Sequence, residues 1–225
     1  MLSLCRIFAL HGATDEFTKS EITPMYTFDY LVFIGRFQPF HLAHLQTIEI
    51  ALQQSQNVIL ALGSAQSERN IKNPFLAHER EQMIFANFPE EEQKRIHFVH
   101  VVDVYNDEKW VKQVKDLVNK VVQPNAKVGL IGHFKDESSY YLALFPEWEM
   151  VELDSLKDSI SATPMREAYY RGEIQTEFFP KGTVYFLEEF QKTSTYQTLQ
   201  QKFNANDRSN IEASSGREIK HLRKR

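Results

Sequence analysis

The sequence holds a single cysteine, Cys5. That excludes an internal disulfide and any metal site built from several thiolates. It fits a reducing compartment, and residence in the cytoplasm is the expectation. Long apolar runs are missing as well. Residues 1–10 are apolar in part, but Arg6 interrupts them and the stretch is too short to span a bilayer. It has neither a basic leader nor a clear cleavage site, so it does not read as a signal peptide. A strong charge of one sign is also absent: 26 Lys and Arg against 30 Asp and Glu leave a net charge of −4. Such a balance points away from nucleic acid and from membrane surfaces as partners of the body of the chain. No internal repeat is visible. What remains is the composition of a soluble globular domain with extensions.

From Phe28 onward the chain alternates between two patterns. Apolar runs at Tyr30–Ile34, Val58–Leu62, Ile96–Val102, Lys127–Ile131 and Glu149–Leu153 predict buried strands. Between them, stripes at helical spacing predict helices over His41–Gln54, Ala77–Asn87 and Asp107–Val122, with a short one over Ser138–Phe145. Thr163–Arg171 and Thr183–Phe203 add two more. Strands and amphipathic helices in alternation predict an α/β, Rossmann-like fold, a parallel sheet with helices on both faces. Residues 1–27 carry no clear period and read as an extension, with Met25 the expected natural start and residues 1–24 dispensable. Residues 28–203 form the expected domain. Residues 204–225 read as a polar, basic tail without structure of its own.

In such sheets ligands bind at the carboxyl ends of the strands, and the chemistry-bearing residues sit there. Residues 34–44 read Ile-Gly-Arg-Phe-Gln-Pro-Phe-His-Leu-Ala-His, directly after the first strand. His41 and His44, spaced i, i+3, put two imidazoles on one face of a helix's first turn. That turn also has unpaired main-chain N–H groups and the positive end of the helix dipole. With Arg36 beside it, this is a polyphosphate-binding design.

The stretch resembles the (H/T)xGH signature of the adenylyl- and cytidylyltransferase superfamily. Its longer form is similar to archaeal-type nicotinamide mononucleotide (NMN) adenylyltransferases, and most of all to the adenylyltransferase half of bacterial NMN adenylyltransferase/Nudix proteins. One departure stands out: Ala43 occupies the place of the usual glycine between the histidines. Ile160-Ser161-Ala162-Thr163-Pro164-Met165-Arg166 resembles a second superfamily signature. There Ser161 or Thr163 is expected to cap a helix, with Pro164 in its first turn. The resemblance covers about Tyr30 to Phe203. The acidic helix that marks a Nudix hydrolase is absent; Glu188-Glu189 lacks the residues around it.

The resemblance implies an enzyme that makes NAD and pyrophosphate from ATP and NMN, with Mg²⁺ carried mainly on the phosphates and no metal cage in the protein. It implies ATP contacts from Gly35, Arg36, Phe37, His41, His44, Gly132, Ser161, Thr163 and Arg166, with His41, His44 and Arg166 catalytic. It assigns the mononucleotide phosphate to Lys72, just before Asn73-Pro74-Phe75, and the nicotinamide to Asn106 and Trp110, a carboxamide partner and a π-face for a cationic ring. Lys135-Asp136 opens the element after the fourth strand, and Arg80 is expected to pair with an acid on its own helix. Nicotinate mononucleotide is a second acceptor that the residues do not rank against NMN, and assembly into a homo-oligomer is left open. Two other readings stand beside this one: transfer to a different phosphorylated acceptor, and a nucleotide sensor without catalysis. The basic tail offers nucleic-acid binding as a third.

Overall fold

A computed structural model describes residues 25–133, 137–153 and 161–207, the backbone alone at 137–139. The expectations that fall on 1–24, on Lys135-Asp136, on Ile160 and on 208–225 lie outside the described residues.

Five strands, β1 (Phe28–Gly35), β2 (Ser55–Leu62), β3 (Ile96–His100), β4 (Val128–Gly132) and β5 (Glu149–Glu152), form one sheet in the order β3-β2-β1-β4-β5. Every neighbouring pair is parallel. Successive residues of β1 and β2 point to opposite faces, and from Tyr30 in β1 and Val58 in β2 onward they are apolar or glycine. Leu31, Phe33, Val58, Leu60 and Leu62 enter one core; Tyr30, Val32, Ile34, Ile59 and Ala61 enter the other.

The first face is covered by α1 (Leu42–Gln54), α2 (Ala77–Phe85), α5 (Ala162–Tyr170) and α6 (Lys181–Gln191), whose buried residues include Ile48, Met83, Tyr169 and Leu187. A short α3 (Glu90–Gln93) leads into β3, and a last helix, α7, runs over 194–207. The second face is covered by α4 (Asp107–Val118) and a 3-10 segment, Glu137–Leu144, through Val114, Val118 and Leu142. The chain builds β1, β2 and β3 outward in one direction, then crosses back through α4 to place β4 on the other side of β1. The carboxyl ends of β1 and β4 therefore flank the topological switch point, where open α/β sheets bind ligands.

Several expected boundaries shift, each for a local reason. β3 ends at His100; one more residue, Val101, still bonds the β2 side, its N–H donating to Leu62 C=O at 2.9 Å and its C=O accepting Ala65 N–H at 3.0 Å. The main chain of Val102 pairs instead with the Gln113 side chain, at 2.7 and 3.1 Å. The last turn expected of α4 tightens, Val121 N–H bonding Val118 C=O at 2.9 Å. The short helix expected over Ser138–Phe145 is a 3-10 helix over Glu137–Leu144. The single helix expected over Thr183–Phe203 is two. The Thr193 hydroxyl accepts the Tyr196 N–H at 3.1 Å and starts α7 anew. That helix continues to 207, beyond the expected end at 203. α6 begins close to the end of α2: a Cβ on Gly182 would lie 2.4 Å from the Ala86 carbonyl oxygen.

Candidate active site

His41 is the N-cap of α1 and His44 its third residue. Their rings stack with centroids 3.5 Å apart and planes 19° from parallel. The His41 N–H donates to His44 Nδ1 at 3.3 Å, so the proton of a neutral His44 ring sits on Nε2. An aromatic wedge holds the pair in place. Phe37 is 1 % exposed, meets Phe33 edge to face at 5.3 Å and His44 at 4.8 Å. Phe40 stacks on His44 at 5.8 Å. Phe37 has φ of +51°, a region bulky residues avoid, and its packing holds it there. Gly35 makes room for the ring, since a Cβ there would lie 3.0 Å from Phe37 Cζ.

Two cavities open at the carboxyl ends of the strands. The first, about 200 Å³, lies between β1 and β4 and is lined by Gly35, His41, Ala43, His44, Gly132 and His133 among others. Thr47, one helical turn after His44, also lines it. The Thr47 hydroxyl donates to Ala43 C=O at 2.8 Å and lies 3.4 Å from His133 Nε2. The other nitrogen of His133 is 3.2 Å from Leu153 C=O, so both ring edges are engaged.

The second cavity, about 430 Å³, brings together Arg36, Lys72, Thr163 and Arg166, with Tyr170 and Phe203 as an aromatic side. Arg166 donates to Gln38 C=O at 2.6 Å and to the Thr163 hydroxyl at 3.1 Å. Burial, with Arg36 adding like-charge repulsion, lowers the Arg166 pKa. Lys72 is presented by a turn in which Asn70 Oδ1 accepts the N–H groups of Lys72 and Asn73 at 2.9 and 3.0 Å. The same loop is clamped by a two-bond Arg69–Glu79 ion pair, both contacts 2.6 Å.

Gln38 ties these segments to one another. Its side-chain amide donates to Phe75 C=O at 2.8 Å and accepts Phe75 N–H at 3.1 Å, while its own carbonyl receives Arg166. At 3 % exposure it belongs to the interior.

The structure thus gathers Gly35, His41, His44 and Gly132 around one cavity and Arg36, Lys72, Thr163 and Arg166 around the other. It does not bring every expected residue to them. Phe37 lies behind His44 and lines neither. Ser161 is the N-cap residue of α5, yet neither it nor Thr163 caps the helix through its side chain. Pro164 occupies the third helical position and has no N–H to give, and the Thr163 hydroxyl is engaged by Arg166. Asn106 is exposed and caps α4, accepting Lys109 N–H at 2.9 Å. Trp110 lines neither cavity; it packs edge-on against Tyr141 and Phe145 at 5.8 and 5.9 Å. Tyr141 does line the first cavity, so Trp110 stands one residue behind it. Among the described residues no acid of α2 is in ion-pair contact with Arg80: it bonds main-chain oxygens, while Glu79 pairs with Arg69 and Glu81 lies against His100. His133, Thr47, Gln38, Tyr170 and Phe203 are contributions that the sequence reading did not assign. Of these only Thr47 has a positional signal, three residues after His44.

A parallel sheet in this order, with a stacked histidine pair at a helix start on one side of the switch point and a group of cations beside it, defines a nucleotidyltransferase-type α/β domain. The chain belongs to the cytidylyltransferase-like family, whose model matches residues 32–202. It is 70% identical over 187 residues, 83% of this chain and 100% of the relative, to a nicotinamide/nicotinic acid mononucleotide adenylyltransferase of Acinetobacter baylyi. A nicotinamide-nucleotide adenylyltransferase of Pyrococcus abyssi is 30% identical over 75% of this chain and 87% of its own length. Among solved structures, a bifunctional NMN adenylyltransferase/ADP ribose pyrophosphatase from Francisella tularensis, crystallised with AMP and a Mn ion, superposes with a TM-score of 0.75 at 34% identity. The match covers 83% of this chain and 56% of that longer one. No helix among the described residues is long and apolar enough to cross a membrane.

Proposed function

We propose that this chain is a mononucleotide adenylyltransferase that joins ATP to NMN or to nicotinate mononucleotide, forming a dinucleotide and pyrophosphate. The observation that carries this reading is the pair of adjoining cavities: stacked imidazoles at the switch point, and three cations in the space beside them. The similarity to the Acinetobacter enzyme along its whole length supports the choice of acceptor. NMN is the substrate of our reading; the archaeal-type branch of the family, cytoplasmic residence and residues 28–203 as the catalytic unit belong to the same reading.

In the reaction an oxygen of the acceptor phosphate attacks the α-phosphorus of ATP. The new P–O bond forms as the bond from the α-phosphorus to the bridging oxygen breaks, and the electron pair leaves with pyrophosphate. No nucleophile of the protein is required. The protein's task is to hold two anions in line and to neutralise the charge that grows on the leaving group. His41 and His44 sit where the α1 amides and two imidazoles can meet the triphosphate. Arg166 keeps N–H groups for the β- and γ-phosphates beyond the two that it commits to Gln38 and Thr163. Lys72 faces the same cavity from the opposite loop and takes the acceptor phosphate. Gly132 lets the adenine lie along the end of β4. Asn106 and Trp110 take the nicotinamide end, reached past Tyr141.

Among the described residues no group of three or more His, Cys, Asp or Glu side chains is placed to hold a metal ion. In this reading Mg²⁺ would come with the triphosphate and would offset its charge. The decisive experiment incubates the purified protein with ATP, Mg²⁺ and a panel of phosphorylated acceptors. Dinucleotide with NMN or nicotinate mononucleotide is expected. Product only with another acceptor overturns the substrate assignment, and ATP binding without product from any acceptor overturns catalysis.

A further inference from the structure

Arg80, on α2, is 1 % exposed and has no carboxylate within ion-pair distance among the described residues. A buried cation without an anionic partner is costly, and needs its hydrogen bonds well placed to persist. One amino group of Arg80 donates to two main-chain oxygens at once, Arg36 C=O and Gly63 C=O, each at 2.8 Å. These residues follow β1 and β2 directly. The ladder between the two strands closes with Gly63 N–H on Gly35 C=O at 2.9 Å, so the next two carbonyls have no strand to pair with, and Arg80 takes both. The Arg36 side chain runs over the same spot: a Cβ added to Gly63 would lie 3.5 Å from Arg36 Cγ. Burial pulls the Arg80 pKa down to about 10, with Glu81 and Asp103 opposing the shift, so the group stays charged at neutral pH.

We propose that Arg80 is a positioning residue for phosphate binding: by fixing the main chain at Arg36 and Gly63, it sets the direction in which the Arg36 guanidinium enters the cationic cavity. It touches no substrate and acts through Arg36. The inference rests on the reading of that cavity as a phosphate site. A purely structural Arg80 would serve the two carbonyls and nothing else, and the two roles separate in a double-mutant cycle.

The experiment measures the affinity of inorganic pyrophosphate, in the presence of Mg²⁺, by calorimetry for four proteins: wild type, Arg80→Gln, Arg36→Ala and the double variant. Arg80→Gln is expected to weaken binding about tenfold, as befits residues in direct contact. In the Arg36→Ala background the same substitution is expected to cost less than about twofold, because the guanidinium that Arg80 aims is gone. A loss of equal size with and without Arg36, or no loss in either background, overturns the proposal. If Arg80→Gln does not fold, the cycle is run with Arg80→Lys under the same criteria. Failure of the wild type to bind pyrophosphate removes the phosphate reading and this inference with it; a binding wild type with additive losses removes only this inference.

Discussion

The two cavities are neighbours, but they are built in different ways. The one at the switch point is assembled by secondary structure. Its histidines stand on the first turn of α1, its glycines end β1 and β4, and its far wall follows from the parallel sheet. The cationic one is assembled by side chains that reach across the fold. Arg36, Lys72, Arg166 and Phe203 come from four separate segments, and buried bonds to main-chain groups from Gln38, Arg80 and Arg166 tie the first three to one another. The contrast teaches a division of labour. On the proposed reading, strand and helix ends place the groups that meet the reacting phosphorus, and segments latched to one another place the charges that accept two anions.

That division separates kcat from KM, and substitutions test it. The largest effect belongs to the switch-point cavity. His44→Ala is expected to lower kcat about 10²–10³-fold, the size found when a donor to a developing charge is removed, with ATP affinity changed far less. Steady-state kinetics beside an ATP titration check this, and an unchanged kcat in a folded variant takes His44 out of the mechanism. In the cationic cavity the signature reverses. Lys72→Ala is expected to raise KM for the mononucleotide about tenfold or more, the worth of a hydrogen bond to a charged group, while kcat at saturation falls little. Equal damage to both parameters would mean that the two cavities act as one.

Gln38 joins the two regions, and its removal tests whether the joint matters. Gln38→Ala leaves the buried Phe75 N–H and C=O without partners and is expected to cost about 1–3 kcal/mol of stability. Because Phe75 is three residues from Lys72 and the Gln38 carbonyl holds Arg166, KM should rise for both substrates. Thermal denaturation run beside the kinetics decides: lost stability with both KM values intact would show that the joint is structural only.

The same contrast sets how much could be read from the sequence. The switch-point cavity lies mostly in contiguous residues, Gly35 to His44, where strand, turn and helix start are local patterns. The doubly wound sheet followed from apolar runs alternating with helical stripes. The latches were hidden because they depend on how α2 is rotated against the sheet. Glu79 and Arg80 are adjacent, hence about 100° apart around the helix. Either one alone satisfies a helical pattern; packing turned Arg80 inward onto Arg36 and Gly63 and left Glu79 to Arg69. Phe203 reaches the cationic cavity on a helix that starts anew after Thr193, whose hydroxyl accepts the Tyr196 N–H, a break that the apolar spacing alone does not mark. Ser161 or Thr163 is expected as the cap of α5 by residue type alone, and Pro164, third in that helix, removes one of the N–H groups a cap would use.

Trp110 lies outside both cavities and gives the finest test of where the acceptor's base sits. Its indole meets Tyr141 and Phe145 edge-on and is only partly buried. Two roles are compatible with that position and predict different kinetics. If its exposed face stacks on a cationic nicotinamide, Trp110→Ala should raise KM for NMN by the equivalent of about 0.5–2 kcal/mol, up to about thirtyfold. KM for ATP should hardly change, and Trp110→Phe should recover much of the loss because a π-face remains. NMN should also suffer more than nicotinate mononucleotide, whose ring carboxylate offsets the ring's charge. If Trp110 only closes the second core, both substitutions should lower the melting temperature. Through Tyr141 they should then disturb the first cavity and so ATP, and the two mononucleotides should fare alike. KM values for ATP and for both mononucleotides, taken with melting curves, discriminate between these outcomes. Equal losses for all three substrates with a large fall in stability would remove Trp110 from acceptor binding, and would place the nicotinamide against the Tyr170–Phe203 side of the cationic cavity instead.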